Sequence, residues 1–550
     1  MAVRIILLAA LAWGISGGIL NGNESQDFKI GTGNKSLEPG VLLDEATLNY
    51  IDEVIFGPRE GGPIEYNYFD KYTPPPPPSP GADPGGTLEA TAIDQRRTKI
   101  LAERLDIARL FRKKKPSNKR WFQAMKNVEE KLGQAQKCSE KKKQKKLKKD
   151  EVVVDRKNIK RFLSTEDEIV PGNMGLKDQN LAMKWVKENI EYFGGNPNSI
   201  TLFGLSAGAA STHYHILSPY SKDLFKRAIM QSGSALCPWA AGRDFRHNAD
   251  IIAKRFDCPT NSSSEMISCL QNINAHLIDD ILLSDLKELK TWNTQPFIFS
   301  PRVDGDFIPD EPVALIKRGD YNHVPVIMGI SREEGAIESG EMYTLPFIID
   351  SLHNNFSRNA PISLHLFEDE EPVDTANEVY NFYLENGRVT FDNAYKFTQL
   401  ISDRLFFVAH DLLTQLTADQ DEVYTYEFHH RGQYGLTGLF RKHGLNLTEA
   451  DHWIAHSDES TYLFERKHQP LNTTADLTVR NIHSSALTNF AKFGSPTPDD
   501  SMGFKWKANS ATSLEHLTIL PEPHMDYDTR EQIRAFWASL PLRINQLINS

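Results

Sequence analysis

The sequence has no apolar run of the roughly 20 residues needed to cross a bilayer. The N-terminal run Ile5 to Ile15 is too short for that. With Arg4 before it and Ser16-Gly17-Gly18 after it, it reads as a secretory signal over residues 1–21. The last residues, Leu540 to Ser550, form neither an apolar anchor tail nor an ER-retention tetrapeptide. The expected destination is secreted, extracellular, with no membrane anchor. Cysteine is scarce, with only Cys138, Cys237, Cys258 and Cys269 in 550 residues. Basic residues are also in deficit, 62 Lys and Arg against 73 Asp and Glu, a net charge of −11. That balance excludes a polyanion-binding chain as a whole, but its distribution is uneven.

Between Arg96 and Arg161 stand 25 Lys and Arg and 8 Asp and Glu, so the rest of the chain carries about −28. Opposite charge signs divide the chain. After the signal, residues 22–161 hold a proline run, Pro74 to Pro78, a Gly-rich linker and the block Lys141 to Lys149. Like charges in such a block repel, and it reads as a solvated, disordered or helical segment rather than a nucleic-acid contact, which a secretory start would contradict. Residues 162–550 have a different texture and read as one globular domain.

The organising stretch of that domain is Ser199 to Gly208. Strand formers Ile200 to Phe203 break into Gly204-Leu205-Ser206-Ala207-Gly208, and the small Ala209, Ala210 and Ser211 follow. This is the G-x-S-x-G pattern of a serine held on a sharp strand-to-helix turn, where small neighbours avoid clashes. Ala228 to Gln231 and Val324 to Ile330 are short apolar runs bounded by turn residues, and Glu422 to His429 alternates as a strand. Helical spacing recurs between them, over 176–193, 244–256, 264–289 and 374–407. The recurring order predicts an α/β fold with a mostly parallel sheet covered by helices on both faces.

A serine nucleophile needs a base and an orienting carboxylate, and the chain order in this kind of site is Ser, acid, His. The run ending at Ile330 leads into Ser331-Arg-Glu-Glu334-Gly335, which places a carboxylate at the C-terminal end of a strand. Seventeen histidines leave the base open by residue type alone. Cys258 and Cys269, 11 apart across a polar loop, can close a disulfide in an oxidising compartment. Cys237, within an apolar stretch, reads as a buried free thiol, and Cys138 has no evident partner. Sequons at Asn23, Asn34, Asn261, Asn355, Asn446 and Asn472 are glycosylation candidates.

Several further motifs converge. They are Pro171-Gly-Asn-Met-Gly-Leu-Lys-Asp178-Gln179, Trp185-Val-Lys-Glu-Asn-Ile190, Phe193-Gly-Gly-Asn-Pro197 and Gln231-Ser-Gly-Ser-Ala235. With them the chain, from about Phe162 onward, resembles the type-B carboxylesterases, the family of cholinesterases and insect general esterases. The resemblance implies the α/β-hydrolase fold, here with its N-terminal strands apparently missing, and a carboxylic ester hydrolase acting through an acyl-enzyme. It implies Ser206 as nucleophile. Gly329 to Gly335 matches the family's G-x-x-x-x-E-G, so Glu334 is the acid and Glu333 its solvent-facing neighbour. Ala455-His456-Ser-Asp-Glu459 resembles the family's histidine loop, so His456 is the base and His452 the rival. The Cys258–Cys269 spacing resembles a family disulfide loop. No metal and no organic cofactor are implied, and the partner is a small-molecule carboxylic ester.

Two departures stand out. Leu205 occupies the position before the serine where many relatives carry Glu. The oxyanion should be held by the Ala207 N–H together with donors from an upstream His-Gly-Gly-Gly-like loop, and no such loop occurs in this sequence. One lost donor typically costs about 2.7–4 kcal/mol, or roughly 10²–10³ in rate. The alternative on the same fold is a catalytically impaired, neuroligin-like binding or adhesion protein.

Overall fold

The computed structural model describes residues 6–7 (backbone only), 162–273, 277–278, 289–293, 295–366, 369–464, 469–510 and 514–550. The signal, the linker, the basic block, Cys138 and the sequons at Asn23 and Asn34 lie outside the described residues, Ile6 and Leu7 excepted. Two compact units divide the chain: Met1–Gly57 with Val152–Glu191 and Gly195–Ser550, and Pro58–Glu151 with Tyr192–Gly194.

The first unit is built on a seven-stranded sheet whose strands stand in chain order. They are β1 (Ile6–Leu7), β2 (Thr201–Leu205), β3 (Arg227–Gln231), β4 (Val326–Ser331), β5 (Val423–Phe428), β6 (Glu515–Ile519) and β7 (His524–Tyr527). Strands β1 to β6 pair in parallel, and β7 closes the edge antiparallel to β6. Beside β2, where the sequence leaves the early strands apparently missing, Ile6 stands opposite Leu202 and Leu7 opposite Phe203.

Burial on both faces explains the apolar runs. One face packs Leu202, Ala228, Met230, Val326 and Met328 under helices α1 (Met174–Asn189) and α2 (Ala207–Leu217). The other packs Phe203, Ile229, Ile327, Tyr424, Tyr426 and Phe428 against a long helix, Thr474–Phe493. The alternating β5 is buried throughout, because its polar members find partners inside: Thr425 Oγ1 donates to the Glu515 carbonyl at 2.8 Å, and Glu427 meets Arg530.

Further helices include α3 (Ala336–Thr344), α4 (Pro372–Tyr383), α5 (Ala394–Ser402), α6 (Val408–Thr417) and α7 (Glu531–Ser539). Among the described residues no helix is long and apolar enough to cross a membrane. Cys258 and Cys269 form a disulfide, and Cys237 is a buried free thiol pushed up to about 12 by its burial. Asn261, Asn355, Asn446 and Asn472 are all exposed.

Candidate active site

Ser206 stands between the end of β2 and the first residue of α2, with φ 58° and ψ −124°. A non-glycine residue in that region stores about 1–3 kcal/mol of strain, and the surroundings must hold it there. They do so with two backbone bonds: Ser206 N–H donates to the Gln231 carbonyl at the end of β3 (2.8 Å), and its carbonyl accepts from Ala210 N–H (3.0 Å). Gly204 is required for the close approach of α2, since a Cβ there would lie 2.0 Å from the Gly208 carbonyl oxygen. A Cβ on Gly208 would meet open space, so the steric demand of the motif falls on its first glycine. Ala207 is the first helical residue, so its N–H has no partner one turn back.

Three residues past the end of β4 stands the candidate acid. Glu334 is fully buried and its carboxylate is held on both oxygens. Oε1 accepts from Ser331 N–H (2.7 Å) and from Ser232 Oγ (2.5 Å), and Oε2 lies 2.6 Å from His456 Nδ1. With a carboxylate as acceptor, the imidazole proton belongs on Nδ1, which leaves Nε2 as the basic nitrogen. Burial opposes a charge on His456, but Glu334 outweighs it, with smaller help from Glu459 and Asp458, and the net effect raises the imidazole above its ordinary pKa. The ring also meets Phe406, centroid to centroid 5.0 Å. Among the described residues no hydrogen bond links Ser206 to His456; catalytic bonds of this kind are often long in unliganded sites.

Glu333 is not the solvent-facing neighbour that the sequence suggests. It is fully buried, and it fastens the histidine loop to the end of β4. Its Oε2 accepts from Ile454 N–H (2.7 Å), its own N–H donates to the Ile454 carbonyl (2.9 Å), and Arg332 Nε lies 2.6 Å from Oε1. Burial nevertheless raises its pKa despite Arg332. The loop is tied again by Asp458, whose Oδ2 accepts from Ala455 N–H (2.9 Å). His452, the rival base, is exposed, and its carbonyl accepts from Arg332 Nη2 at 3.2 Å.

Two participants were not singled out by sequence reasoning, although both lie in stretches with family likeness. Ser232 comes from Gln231-Ser-Gly-Ser-Ala235, and Glu459 ends Ala455-His-Ser-Asp-Glu459. Glu459 is fully buried behind Glu334, accepting from Ser331 Oγ (3.1 Å) and Ser232 Oγ (3.3 Å). Burial first, and the Glu334 charge second, push it up to about 7. Ser232 therefore bridges two buried carboxyls. The loop beyond it is supported by His213, whose Nδ1 accepts from Ala235 N–H (3.1 Å) and which burial depresses to about 3, so it stays neutral.

Comparison with known proteins shows the family. The profile of the Carboxylesterase family matches residues 136–537, which takes in 136–161 as well as the domain read from Phe162. The chain is 32% identical over 401 residues to venom carboxylesterase-6 of Apis mellifera, covering 70% of each. It is 34% identical over 315 residues to esterase FE4 of Myzus persicae, 55% of this chain and 54% of that protein. It is 31% identical over 405 residues to acetylcholinesterase of Bungarus fasciatus, covering 69% and 62%. The chain thus spans between about half and about two thirds of the lengths of these relatives.

Proposed function

This chain belongs to the carboxylesterase family, and from that premise we propose that it hydrolyses small carboxylic esters through an acyl-enzyme formed on Ser206. Ser206 Oγ attacks the ester carbonyl while His456 Nε2 takes its proton. Glu334 holds the resulting imidazolium through Nδ1 and stays ionised. The Ala207 N–H faces the developing oxyanion. The alcohol leaves with the proton from His456. A water molecule, deprotonated by the same nitrogen, then releases the acid and restores Ser206.

The observation that carries this reading is the buried 2.6 Å contact between His456 Nδ1 and Glu334 Oε2. A histidine kept basic on its far nitrogen and a serine on a strained turn are the minimum apparatus for acyl transfer. Phe406 lies against the imidazole and packs in turn on Trp239, ring centroids 5.8 Å apart, an apolar neighbourhood that suits an apolar acyl or alcohol group. The disulfide and the exposed sequons fit action outside the cell.

With the Ala207 N–H as the one oxyanion donor legible in the sequence, turnover is expected to fall below that of a fully furnished site, by roughly 10²–10³ for each missing donor. That same absence favours the second reading, a binding protein on an esterase fold. The test is hydrolysis of 4-nitrophenyl acetate by the intact chain beside Ser206→Ala. Slow turnover that disappears in the variant carries the esterase reading. Equal rates in both, at the level of buffer, would leave the binding protein.

A further inference from the structure

Between α5 and α6 the helix widens. Asp403–Phe407 form a π-helical turn in which Val408 N–H reaches the Asp403 carbonyl, and all five residues are buried. Such a turn carries one residue more than an α-helical ladder pairs in register, and turns of this kind cluster at functional sites. Here it is fastened from four directions. Gly335, beside the candidate acid, donates its N–H to Ser402 Oγ at 2.8 Å, and a Cβ on Gly335 would lie 2.5 Å from Ser402 N. Tyr383 of α4 donates to Asp403 Oδ2 at 2.7 Å and accepts from Trp537 Nε1 of α7 at 2.8 Å. Arg404 binds the carbonyls of Leu364 (2.6 Å) and His365 (3.2 Å). Finally Trp239 Nε1 donates to the Leu405 carbonyl, in the middle of the turn, at 2.9 Å.

The last tie joins the turn to the nucleophile. Trp239 lies on the segment leaving β3, and a Cβ on Gly233 of that segment would meet both the Ser206 carbonyl (2.6 Å) and the Trp239 ring (3.0 Å). One residue beyond Leu405, Phe406 faces the His456 imidazole at 5.0 Å and 40°. A phenyl ring in place of the indole would fill similar space without an N–H. The feature that only tryptophan supplies here is the donor to Leu405.

We propose that Trp239 is a positioning residue: through its indole N–H it holds the π-helical turn that seats Phe406 against His456. Phe406 limits the swing of the imidazole and offers a ring face to the imidazolium formed during acyl transfer. The inference rests on the esterase reading for its kinetic consequence and on geometry alone for the tie.

The test is Trp239→Phe, which keeps a ring and deletes the donor, with Phe406→Leu as second variant. The crystal structure of Trp239→Phe is expected to show the Phe406 ring displaced from His456 by more than about 1 Å, a displacement large enough to cost up to 10²-fold in rate. For acetate, butyrate and hexanoate esters, kcat is expected to drop about ten-fold in both variants, with KM within about two-fold, and the double variant to be no worse than either alone. A purely packing role would lower thermal stability and leave kcat per titrated site unchanged. Phe406 still seated on His456 in Trp239→Phe would overturn the proposal, as would an unchanged kcat. Should Trp239→Phe not fold, an unchanged kcat in Phe406→Leu overturns it by itself. If the parent chain neither hydrolyses esters nor reacts with a fluorophosphonate, the esterase reading falls, and the crystallographic comparison still decides the tie.

Discussion

Glu334 and Glu459, joined by Ser232, and Asp411 and Glu427, joined by Arg530, are four carboxyls removed from water within one domain. Only the second pair meets guanidinium groups. Arg530 spans it, with Nη2 2.9 Å from Asp411 Oδ1 and Nη1 bonded to Glu427, and Arg534 adds a contact to Asp411 at 3.2 Å and one to Asp528 at 2.5 Å. Burial alone would raise Asp411 and Glu427, but Arg530 outweighs it and holds both well below the usual carboxylate range. The first pair has hydroxyls, backbone N–H groups and a histidine, and no guanidinium. Burial first and the Glu334 charge second push Glu459 up to about 7. Carboxyls matched by arginines are locked in one charge state and serve the structure. A carboxyl left without a fixed cation, as Glu459 is, keeps a proton within reach of neutral pH.

That contrast can be broken by removing one member at a time. The largest effect belongs to the unpaired corner: Ser206→Ala is expected to lower ester turnover by up to about 10⁶-fold, within the limit set by the parent rate, while urea unfolding changes by less than about 1 kcal/mol. The paired cluster should respond in the opposite way. Arg530→Met leaves Asp411 and Glu427 buried without their main partner, and chemical denaturation should show a loss of about 3–5 kcal/mol. Because both folded-state pKa values are depressed, this cluster contributes fully above the unfolded carboxylate range, and the contribution is lost as pH falls through the folded values. Flattening of the acid side of the stability profile in Arg530→Met would sharpen the comparison; an unchanged profile would contradict it.

A smaller effect is expected for the disulfide. Cys258 and Cys269 close a loop of sequence separation 11, so its reduction should lower stability by about 2–3 kcal/mol, read from the unfolding midpoint with and without reductant. The subtlest is Glu459→Gln. Glu459 helps to raise His456, so neutralising it should move the acidic limb of kcat/KM to lower pH. The raised pKa of Glu459 also means that its neutral form is favoured in the fold. Its contribution is complete below the ordinary value of 4.5 and is lost as pH rises through about 7. Glu459→Gln should therefore lessen the fall in stability between pH 4.5 and about 7. An acidic limb that stays in place would show that the two carboxyls are not coupled through His456.

Much of this corner was legible in the chain. The run into Gly204-Leu-Ser206-Ala-Gly208 marks the turn, the strand before Glu334 marks the acid, and motif likeness picks His456 from seventeen histidines. The paired cluster was not legible, since Asp411, Glu427 and Arg530 are separated by up to 119 residues and no local pattern joins them. The burial of Glu333 escapes the sequence for a related reason. Its neighbour Glu334 also points inward because the chain turns there, so the alternation of a regular strand no longer predicts which of two adjacent carboxyls is exposed. Ser232 and Glu459 lie in recognisable motifs, yet their meeting across 227 residues exists only in the fold. The π-helical turn has no sequence signature of its own and is fixed by tertiary bonds to Trp239, Tyr383 and Gly335.

The most direct test is the stoichiometry of a fluorophosphonate probe on the intact, folded chain, with the modified peptide located by mass spectrometry. About one label per chain is expected on Ser206, reacting more slowly as pH falls and His456 becomes protonated, with no label in Ser206→Ala. A folded chain that takes up no label at any pH, or takes it at a serine other than Ser206, would contradict it.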